Sequence, residues 1–585
     1  MKKLICALAA MMLMTGCSAV SSAPASSAAS ERGTFTPGTF TARAAGRNGD
    51  VSTAVTFSAE RIEDIRIESQ ETESIGVEAM NKMKAIVLET QGVDLDNVAG
   101  ATISASAFIE ALNDCVRQAG ADPAKLTGAA GYGKTSSYET EADIIVVGGG
   151  AAGMSAAIAA HEAGASVILL EKSNILGGNT VCATNGINGA DAKVQLESQE
   201  YKEAGASVEG LVSLQINNED AREDLVRAFA ENSGETIDWL SGIGASFEVE
   251  INKDERNKDQ NYYLLQDRTN GTTAVTLISL VSKKISEEGI TVYYSMDAHD
   301  LVEENGKVTG VIARNENGEE VTFTGKAILL ATGGFGQNSE LVGKVNPALA
   351  NAITDETAPT TGEGLLMAQA VGADAVNLDA IQTFPAVIPG YGMLLPFNLP
   401  GGFTPDAIYV NNRSERFTAE GFEIPDQILA QDKGEVYAVF DESGMNDSLQ
   451  TLLKNGYVVS GDTAEELAEK LGLDGKALAA TIAAFNEDIS DGTDDAFGKD
   501  KNLNSLEGTL YGYRFGVGAH YFMGGTLIND QTQVLNTEGE VIDGLYAAGE
   551  VTGGFHGTFR VDGSGLGDSF VFGRIAGKVM AENVR

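Results

Sequence analysis

One stretch of the sequence decides the fold: Ala142-Asp143-Ile144-Ile145-Val146-Val147-Gly148-Gly149-Gly150-Ala151-Ala152-Gly153. Its apolar half is typical of a buried strand, and the alanine-rich run after the glycines is typical of a helix. A second apolar run, residues 167–170, ends at Glu171, about 20 residues past the first glycine. Because a strand, a glycine turn, a helix and an acidic residue at this spacing form a dinucleotide-binding unit, the sequence predicts an α/β fold on a parallel sheet.

Each glycine of this turn has its own predicted role. Gly148 makes the turn, Gly150 lets backbone N–H groups approach a pyrophosphate, and Gly153 lets the helix contact the strand. Glu171 is expected to accept a hydrogen bond from a ribose hydroxyl. NAD and FAD share these requirements, so this unit alone leaves the choice between them open.

Length, charge and composition limit what the chain can do. Its 585 residues predict roughly three or four folding units. A formal net charge of −43 argues against binding to nucleic acid or to an anionic membrane surface, because both would repel the chain. The four cysteines include no CxxC pair, which argues against haem of the c type, iron–sulfur clusters and structural zinc. No metal site is predicted, so redox chemistry requires an organic cofactor.

The first residues have the pattern of a targeting segment. Lys2 and Lys3 precede a short apolar run, residues 4–14, and Met14-Thr15-Gly16-Cys17 follows. This pattern resembles a bacterial lipoprotein signal peptide over residues 1–16, with lipidation at Cys17 and a Ser/Ala-rich tether over residues 17–33. The resemblance implies an extracytoplasmic protein, anchored to the cell membrane by its lipid. Plain secretion is the alternative.

A small α+β domain is predicted over residues 34–126. Its first part alternates in the manner of strands, and residues 80–90 and 104–120 have helical patterns. Between the two helices lies Asp96-Asn97-Val98-Ala99-Gly100-Ala101-Thr102. The glycine and alanine leave the backbone open, and Thr102 presents a hydroxyl where a helix begins, which suits a phosphate. An ordinary N-cap after a glycine turn explains the same residues.

This segment resembles the FMN-binding domain of sodium-pumping quinone reductase subunits and of urocanate reductase. The resemblance implies that FMN is attached covalently to Thr102 through a phosphoester and that an FMN transferase acts on the chain during maturation. Ala99 stands where that family commonly has serine. Residues 127–139, rich in glycine, are predicted to be a linker.

Further glycine-rich segments follow the dinucleotide-binding unit. They are Gly177-Gly178-Asn179-Thr180, Ala331-Thr332-Gly333-Gly334 and Tyr546-Ala547-Ala548-Gly549-Glu550. The set resembles the flavoprotein family of fumarate reductase, succinate dehydrogenase and L-aspartate oxidase over residues 140–585. The resemblance implies non-covalent FAD, held by Gly148, Gly150, Gly153, Glu171, Gly178, Asn179, Thr180, Gly333, Glu550, Gly565 and Leu566.

The same resemblance sets the predicted domain organisation. A Rossmann-like FAD-binding domain is expected in two parts, residues 140–382 and 505–585. An α+β cap domain, residues 383–504, is inserted between them. An FMN domain together with this FAD module resembles urocanate reductase and the soluble periplasmic fumarate reductases. In these relatives electrons from a membrane or extracellular donor pass from FMN to FAD and then, as hydride, to an activated C=C bond in anaerobic respiration.

Two positions of that family's substrate site are retained. His520 matches the histidine that holds one substrate carboxylate, and Arg560 matches its arginine partner. Phe384 stands where fumarate reductases carry a histidine for the second carboxylate. A count without gaps reaches Ile424 at the position of their catalytic arginine. Residues 399–403 contain neither the arginine nor the glutamate that would feed that acid.

These departures favour a substrate with one carboxylate and an aromatic tail, similar to cinnamate, because a second, unpaired carboxylate would be costly to bury. Neutral enones such as 3-ketosteroids are the next choice. Tyr521 is the first candidate for the proton donor, ahead of Tyr391 and Glu423, although an ordinary core tyrosine explains it equally. Reduction of fumarate or urocanate, dehydrogenation in the reverse direction, and a non-catalytic electron carrier remain open.

Overall fold

The computed structural model describes residues 35–47, 49–71, 76–95, 102–127, 138–253, 261–269, 272–393, 399–402, 405–421 and 424–585. The predicted signal peptide, Cys17, most of the linker, Phe403 and Glu423 lie outside these residues. The chain divides into two compact units. The smaller comprises the chain up to Gln70 with Met80–Asp96 and Ser106–Tyr132, and the larger comprises Glu71–Ala79, Asn97–Ala105 and Gly133–Arg585.

The first elements are strands and helices in the predicted order. They are β1 (Gly38–Ala45), β2 (Asp50–Phe57), β3 (Ile62–Glu68), α1 (Glu78–Thr90) and α2 (Thr102–Gln118). The three strands form an antiparallel sheet in the order β1-β2-β3. Along β2, Val51, Val55 and Phe57 are buried among more accessible neighbours, as the alternation predicts.

The second group of elements begins with the dinucleotide-binding unit. It comprises β4 (Ile144–Val147), α3 (Ala151–Glu162), β5 (Val167–Leu170), β6 (Ile187–Asn188), α4 (Lys193–Glu197), α5 (Gln199–Glu203), α6 (Val208–Ile216), α7 (Glu223–Gly242), β7 (Glu248–Lys253), β8 (Asn261–Gln266), α8 (Thr273–Glu287), β9 (Thr291–Tyr293), β10 (Asp297–Glu304), β11 (Lys307–Arg314), β12 (Glu320–Thr324) and β13 (Ala327–Leu330).

The third group contains the predicted cap. It comprises α9 (Ser339–Val345), β14 (Ile353–Thr354), α10 (Glu363–Ala370), β15 (Ala375–Val376), β16 (Ile381–Ile388), β17 (Gly392–Met393), β18 (Ile408–Val410), α11 (Pro425–Leu429), β19 (Val436–Phe440), α12 (Asp447–Lys454), β20 (Val459–Gly461), α13 (Ala464–Leu471), α14 (Gly475–Asp488) and β21 (Leu510–Phe522). The chain ends with β22 (Gly525–Leu527), β23 (Gln533–Leu535), β24 (Val541–Ala547), β25 (Thr552–Gly553) and α15 (Ser564–Asn583).

The central sheet runs in the order β10-β11-β24-β13-β4-β5-β9. From β24 to β9 neighbouring strands are parallel. Every residue of β4, β5 and β13 is buried, as expected for parallel strands covered on both faces. Since β24 lies near the end of the sequence yet pairs with β13, the chain returns to this sheet after the cap. The predicted α/β class is confirmed.

A second sheet carries the cap. Its order is β17-β16-β21-β19-β18, and β14 and β20 also pair with β21. The predicted cap boundary at residue 383 falls inside β16, and the one at 504 falls shortly before β21. None of the helices in the described part of the chain has the length and apolar character needed to cross a membrane.

Candidate active site

Two glycines of the turn after β4 are required by the chain's own backbone. Gly148 has φ +109°, and a Cβ there would lie 2.2 Å from the carbonyl oxygen of Ala331, at the end of β13. A Cβ on Gly153 would lie 1.8 Å from the carbonyl oxygen of Gly148. These contacts bring β4, α3 and β13 together at one edge of the central sheet.

Gly150 differs, because no atom of the described residues requires a glycine there. Its φ is −77°, it caps the N-terminus of α3, and a Cβ would find no atom nearer than Thr180 Oγ1 at 3.8 Å. The space in front of the helix is therefore open, at the positive end of the helix dipole. An open cradle at a helix N-terminus is what a pyrophosphate requires, so the residues present fit a dinucleotide cofactor.

Glu171 follows β5 and faces this turn. Its carboxylate accepts hydrogen bonds from Gly149 N at 2.7 Å and from Ser173 N at 2.6 Å. Burial raises the pKa of Glu171, while these hydrogen bonds lower it. Each carboxylate oxygen can accept a second hydrogen bond, so Glu171 still has capacity for a ribose hydroxyl.

The other predicted cofactor residues meet beyond this turn. Asn179 Nδ2 donates to Glu550 Oε2 at 3.2 Å, and Asn179 Oδ1 accepts from Thr357 N at 2.7 Å. Thr180 Oγ1, one residue on from Asn179, accepts from Ala151 N at 3.2 Å. Gly333 has φ +75°, and a Cβ there would lie 3.5 Å from Thr360 Cγ2 and 3.9 Å from Glu550 Oε2, so this glycine adjoins Glu550.

Gly565 joins the cofactor region to the predicted substrate residues. A Cβ there would lie 2.9 Å from Tyr521 Cε2 and 3.2 Å from Arg560 Cδ. The glycine therefore allows the first turn of α15 to approach both side chains, and Leu566 beside it is buried. Gly178, in the short 3₁₀ helix with Asn179, has φ +50° and places the Gly177–Thr180 segment against Gly150.

A register shift between β16 and β21 orients the side chains of the predicted substrate residues. In the ladder between β16 and β21, Gln382 pairs with Tyr521 and Thr383 pairs with Ala519, so His520 is left without a partner. Such a bulge re-aims side chains that a regular strand would point to opposite faces. His520 and Tyr521 thereby both take part in one site although they are adjacent in sequence.

His520 is held on two sides. Its Nδ1 lies 2.7 Å from Asp355 Oδ2, and its ring lies 4.6 Å from the Phe384 ring, with 31° between the planes. Asp355 directly follows β14, which runs parallel to β21. The sequence analysis did not identify Asp355, because a two-residue strand leaves no recognisable pattern.

Tyr521 lies in a buried polar cluster. Its hydroxyl donates to Asp568 Oδ2 at 3.4 Å and lies 3.3 Å from His556 Nε2. Burial, and then the charge of Asp568, raise the pKa of Tyr521 well above 10. Burial lowers the pKa of His556, so this ring is neutral at physiological pH. No local pattern in the sequence predicts a role for His556.

Arg560 is the cation of the site. Its guanidinium lies over the Tyr521 ring, 4.9 Å from the centroid, and its Nε donates to Gln382 Oε1 at 2.9 Å. Among the residues that the structure describes, no carboxylate lies within 4 Å of this half-buried guanidinium. Arg560 is therefore available for a substrate carboxylate.

Three other residues named in the sequence analysis, Tyr391, Ile424 and Thr102, lie in other parts of the chain. Tyr391 is 50% exposed and its ring contacts Tyr457 in the cap. Ile424 is buried in the apolar core of the cap. Thr102 is the first residue of α2, as predicted for the FMN site, and its side chain lies outside the described residues.

Known protein families match both parts of the chain. Residues 46–117 match the FMN-binding domain family, and residues 143–566 match the FAD binding domain family. The chain belongs to the fumarate reductase-like flavoprotein family and carries an FMN-binding domain. The predicted family is confirmed, as are the FAD-binding and FMN-binding domains.

Three relatives illustrate the range of this family. The NADH:acrylate oxidoreductase of Vibrio harveyi is 31% identical over 94% of this chain and 62% of its own length. The NADH:fumarate oxidoreductase of Klebsiella pneumoniae is 31% identical over 94% of this chain and 59% of its own. The urocanate reductase of Eggerthella lenta is 31% identical over 92% of this chain and 91% of its own. The chain thus spans about three fifths of the first two relatives.

A solved structure supports the same fold. The open conformation of a flavocytochrome c3 fumarate reductase is 29% identical, with a TM-score of 0.69 over 76% of this chain and 79% of that one.

Proposed function

We propose that this protein reduces the C=C bond of an α,β-unsaturated monocarboxylate with an aromatic tail, a 3-aryl acrylate such as cinnamate. The observation that carries this proposal is the half-buried guanidinium of Arg560, which has no carboxylate within 4 Å among the described residues. A buried cation requires a counter-charge, and a substrate carboxylate provides one. The relatives named for acrylate and urocanate act on acids of this kind.

FAD, bound without a covalent link, supplies the hydride for such a reduction. Two groups of residues would hold it: Gly150 with Thr180 at the N-terminus of α3, and Gly333 with Glu550. Glu171 would bind the ribose hydroxyl at the end of β5. Because Gly565 places the first turn of α15 against Tyr521 and Arg560, the substrate residues adjoin this cofactor region.

Three side chains orient the substrate in this proposal. Arg560 and His520 bind the one carboxylate, and Phe384 contacts the aromatic tail. The Phe384 ring already lies against His520 at 4.6 Å, where a second substrate carboxylate would meet an apolar surface. A dicarboxylate such as fumarate would leave one charge without a partner, so we expect it to be a poor substrate.

Tyr521 is our candidate for the proton donor. Its raised pKa keeps its proton in place at neutral pH, and Oη would deliver that proton to the substrate carbon. His556 Nε2 lies 3.3 Å from Oη and helps to fix the position of the hydroxyl. The hydroxyl donates to Asp568 in this structure, so delivery requires it to turn away from that carboxylate.

The supply of electrons is proposed from the N-terminal domain. FMN joined covalently to Thr102 by an FMN transferase would receive electrons from a membrane or extracellular donor. We propose that the protein is exported and anchored through a lipid on Cys17. Mass spectrometry of T102A, T102S and C17S tests both modifications. T102A should lose the FMN mass, whereas T102S should retain it. C17S should lose only the lipid mass. A T102A protein that keeps the FMN mass would contradict the FMN site, and a C17S protein that keeps the lipid mass would contradict the lipidation site.

The main experiment uses the full flavin-loaded protein, reduced without oxygen and mixed with candidate acids. Cinnamate and caffeate should reoxidise the flavin rapidly, fumarate and a 3-ketosteroid enone slowly. R560Q should raise the KM for cinnamate at least tenfold, whereas R413Q, which removes an exposed arginine, should leave it unchanged. Rapid turnover of fumarate, or an R560Q enzyme with normal cinnamate kinetics, would contradict the proposal.

Urocanate is the second candidate, and it belongs to the same chemical class because it is an acrylate with an imidazole ring. The Eggerthella lenta urocanate reductase is matched over nearly its whole length, FMN-binding part included. The panel therefore contains urocanate. A kcat/KM at least tenfold above that for cinnamate would assign it as the preferred substrate.

A further inference from the structure

We propose that Asp355 is a positioning residue for His520 and that the pair makes the site selective for a single substrate carboxylate. The second half of this inference rests on the proposed function, while the first half concerns the protein alone. In the parallel ladder between β14 and β21, Ile353 pairs with Gly518 and Thr354 with Ala519.

The next residue on each strand leaves the ladder at this point. Asp355 leaves because β14 ends, and His520 leaves because it is bulged out of the pairing with β16. The two side chains consequently meet, with Oδ2 and Nδ1 2.7 Å apart. Both side chains are about one quarter exposed, so the pair lies at the accessible side of the site rather than in the core.

This contact determines which nitrogen of His520 faces the substrate. An ionised carboxylate can only accept a hydrogen bond, so Nδ1 carries a proton and Nε2 points away from Asp355. The Phe384 ring lies against the imidazole and limits its rotation. Together the two contacts hold Nε2 as the free hydrogen-bonding atom of this side chain, which is the arrangement seen when a carboxylate orients a catalytic or ligating histidine.

The charge of the pair explains the selectivity. When a substrate carboxylate accepts from Nε2, both ring nitrogens donate, and Asp355 balances the charge of the ring. Asp355 from β14 and the uncharged Phe384 from β16 contact this ring. Arg560 remains as one uncompensated positive charge for one carboxylate. Asp355 would repel a second carboxylate.

Two substitutions separate the hydrogen bond from the charge. D355A removes both, whereas D355N keeps an acceptor oxygen for Nδ1 and removes only the charge. We expect D355A to lower kcat/KM for cinnamate at least tenfold. We expect D355N to retain most cinnamate turnover and to raise the ratio of fumarate to cinnamate kcat/KM at least tenfold. Both are assayed with reduced methyl viologen as donor.

A matched control comes from a second histidine–carboxylate contact far along the chain. His299 Nε2 lies 3.0 Å from Glu320 Oε2 at the edge of the central sheet, so E320Q should change neither kinetic quantity. A D355N enzyme with the wild-type substrate ratio, or a D355A enzyme with unchanged kcat/KM, would overturn the inference. Loss of activity in both variants with loss of bound flavin would assign Asp355 a structural role instead.

One measurement depends on no substrate and no variant. The chain has four histidines, so ¹⁵N NMR of the ring nitrogens in the wild-type flavin-loaded protein is readily assigned. We expect His520 to carry its proton on Nδ1. A neutral His520 with its proton on Nε2 would refute the positioning role, even if cinnamate proves to be the substrate. A proton on Nδ1 would support the positioning role, even if cinnamate proves not to be the substrate.

Discussion

Glu356 and Glu550 lie against the same small residue. A Cβ added to Gly334 would be 2.6 Å from Glu356 Oε1 and 3.1 Å from Glu550 Oε1. Glu356 Oε2 accepts from Gly336 N at 2.7 Å, and Glu550 Oε1 accepts from Phe522 N at 3.2 Å. Burial, and then the charge of Glu550, raise the pKa of Glu356 well above 4.5. The raised pKa of Glu356 follows from tertiary contacts, and no local motif of the sequence indicates it.

This pair makes stability depend on pH. In the unfolded chain Glu356 ionises near 4.5, whereas in the folded protein it keeps its proton to a higher pH. The stability from this group is therefore fully present below 4.5 and is lost as the pH rises toward the raised pKa. We expect the melting temperature of E356Q to fall less than that of wild type between pH 5 and pH 8. The exposed E538Q should follow wild type, and parallel curves for E356Q and wild type would show that Glu356 is ionised.

Alanine substitutions at Gly150 and Gly153 should have different effects, one on FAD binding and the other on folding. G150A should fold with an apo-protein melting temperature near that of wild type, because its Cβ meets no atom within 3.8 Å, but its FAD content should fall at least tenfold. G153A should not fold, since its Cβ would lie 1.8 Å from a carbonyl oxygen. G242A, at an exposed helix end with open space, is the control for both. Normal FAD content in G150A would refute the pyrophosphate cradle.

Asp494 should be essential for the stability of the cap. Its carboxylate accepts from Arg416 Nη1 at 2.9 Å and from Arg416 Nη2 at 2.7 Å, and both side chains are buried. D494N leaves the arginine partly unpaired, so we expect a loss of about 3 kcal/mol in the free energy of unfolding. R413Q, which breaks an exposed pair, should cost less than about 0.5 kcal/mol. Equal urea midpoints for the two variants would contradict this expectation.

The same aspartate should make the cap sensitive to acid. Burial alone would raise the pKa of Asp494, but hydrogen bonds from Arg416 and from Lys499 N outweigh it and hold the pKa below 3.8. The stability from this group is present above 3.8 and is lost as the pH falls below it. Far-ultraviolet circular dichroism during urea unfolding should therefore show a stability difference between wild type and D494N that shrinks as the pH falls below 3.8.

Phe384 should determine the preference for an aromatic tail. F384A removes most of an apolar ring from the site, and burying such a side chain is worth about 1.5–3 kcal/mol. We expect kcat/KM for cinnamate to fall at least tenfold while that for acrylate, which has no tail, falls less than threefold. L196A, at an exposed position outside the site, is the control. An equal loss of kcat/KM for cinnamate and acrylate would show that the aromatic tail does not bind at Phe384.

Much of the cofactor region was predictable because it depends on local rules. The turn from Gly148 to Gly153 follows from two steric contacts that any strand–turn–helix unit of this kind must make. Glu171 then follows from the length of the helix between the two strands. The family resemblance added Asn179, Gly333 and Glu550, which the structure brings together from three separated segments.

Asp355, Glu356 and His556 could not be predicted in the same way. Asp355 meets His520 through a pairing of two residues on β14 with β21, 165 positions apart in sequence. His520 and Tyr521 share one site only because the register skips a residue against β16. Local patterns of glycines and apolar residues thus determined the cofactor fold, since they act over a few neighbouring residues. The charges around the substrate site were decided by tertiary structure, because strand register sets which distant side chains meet, and no local pattern encodes that register.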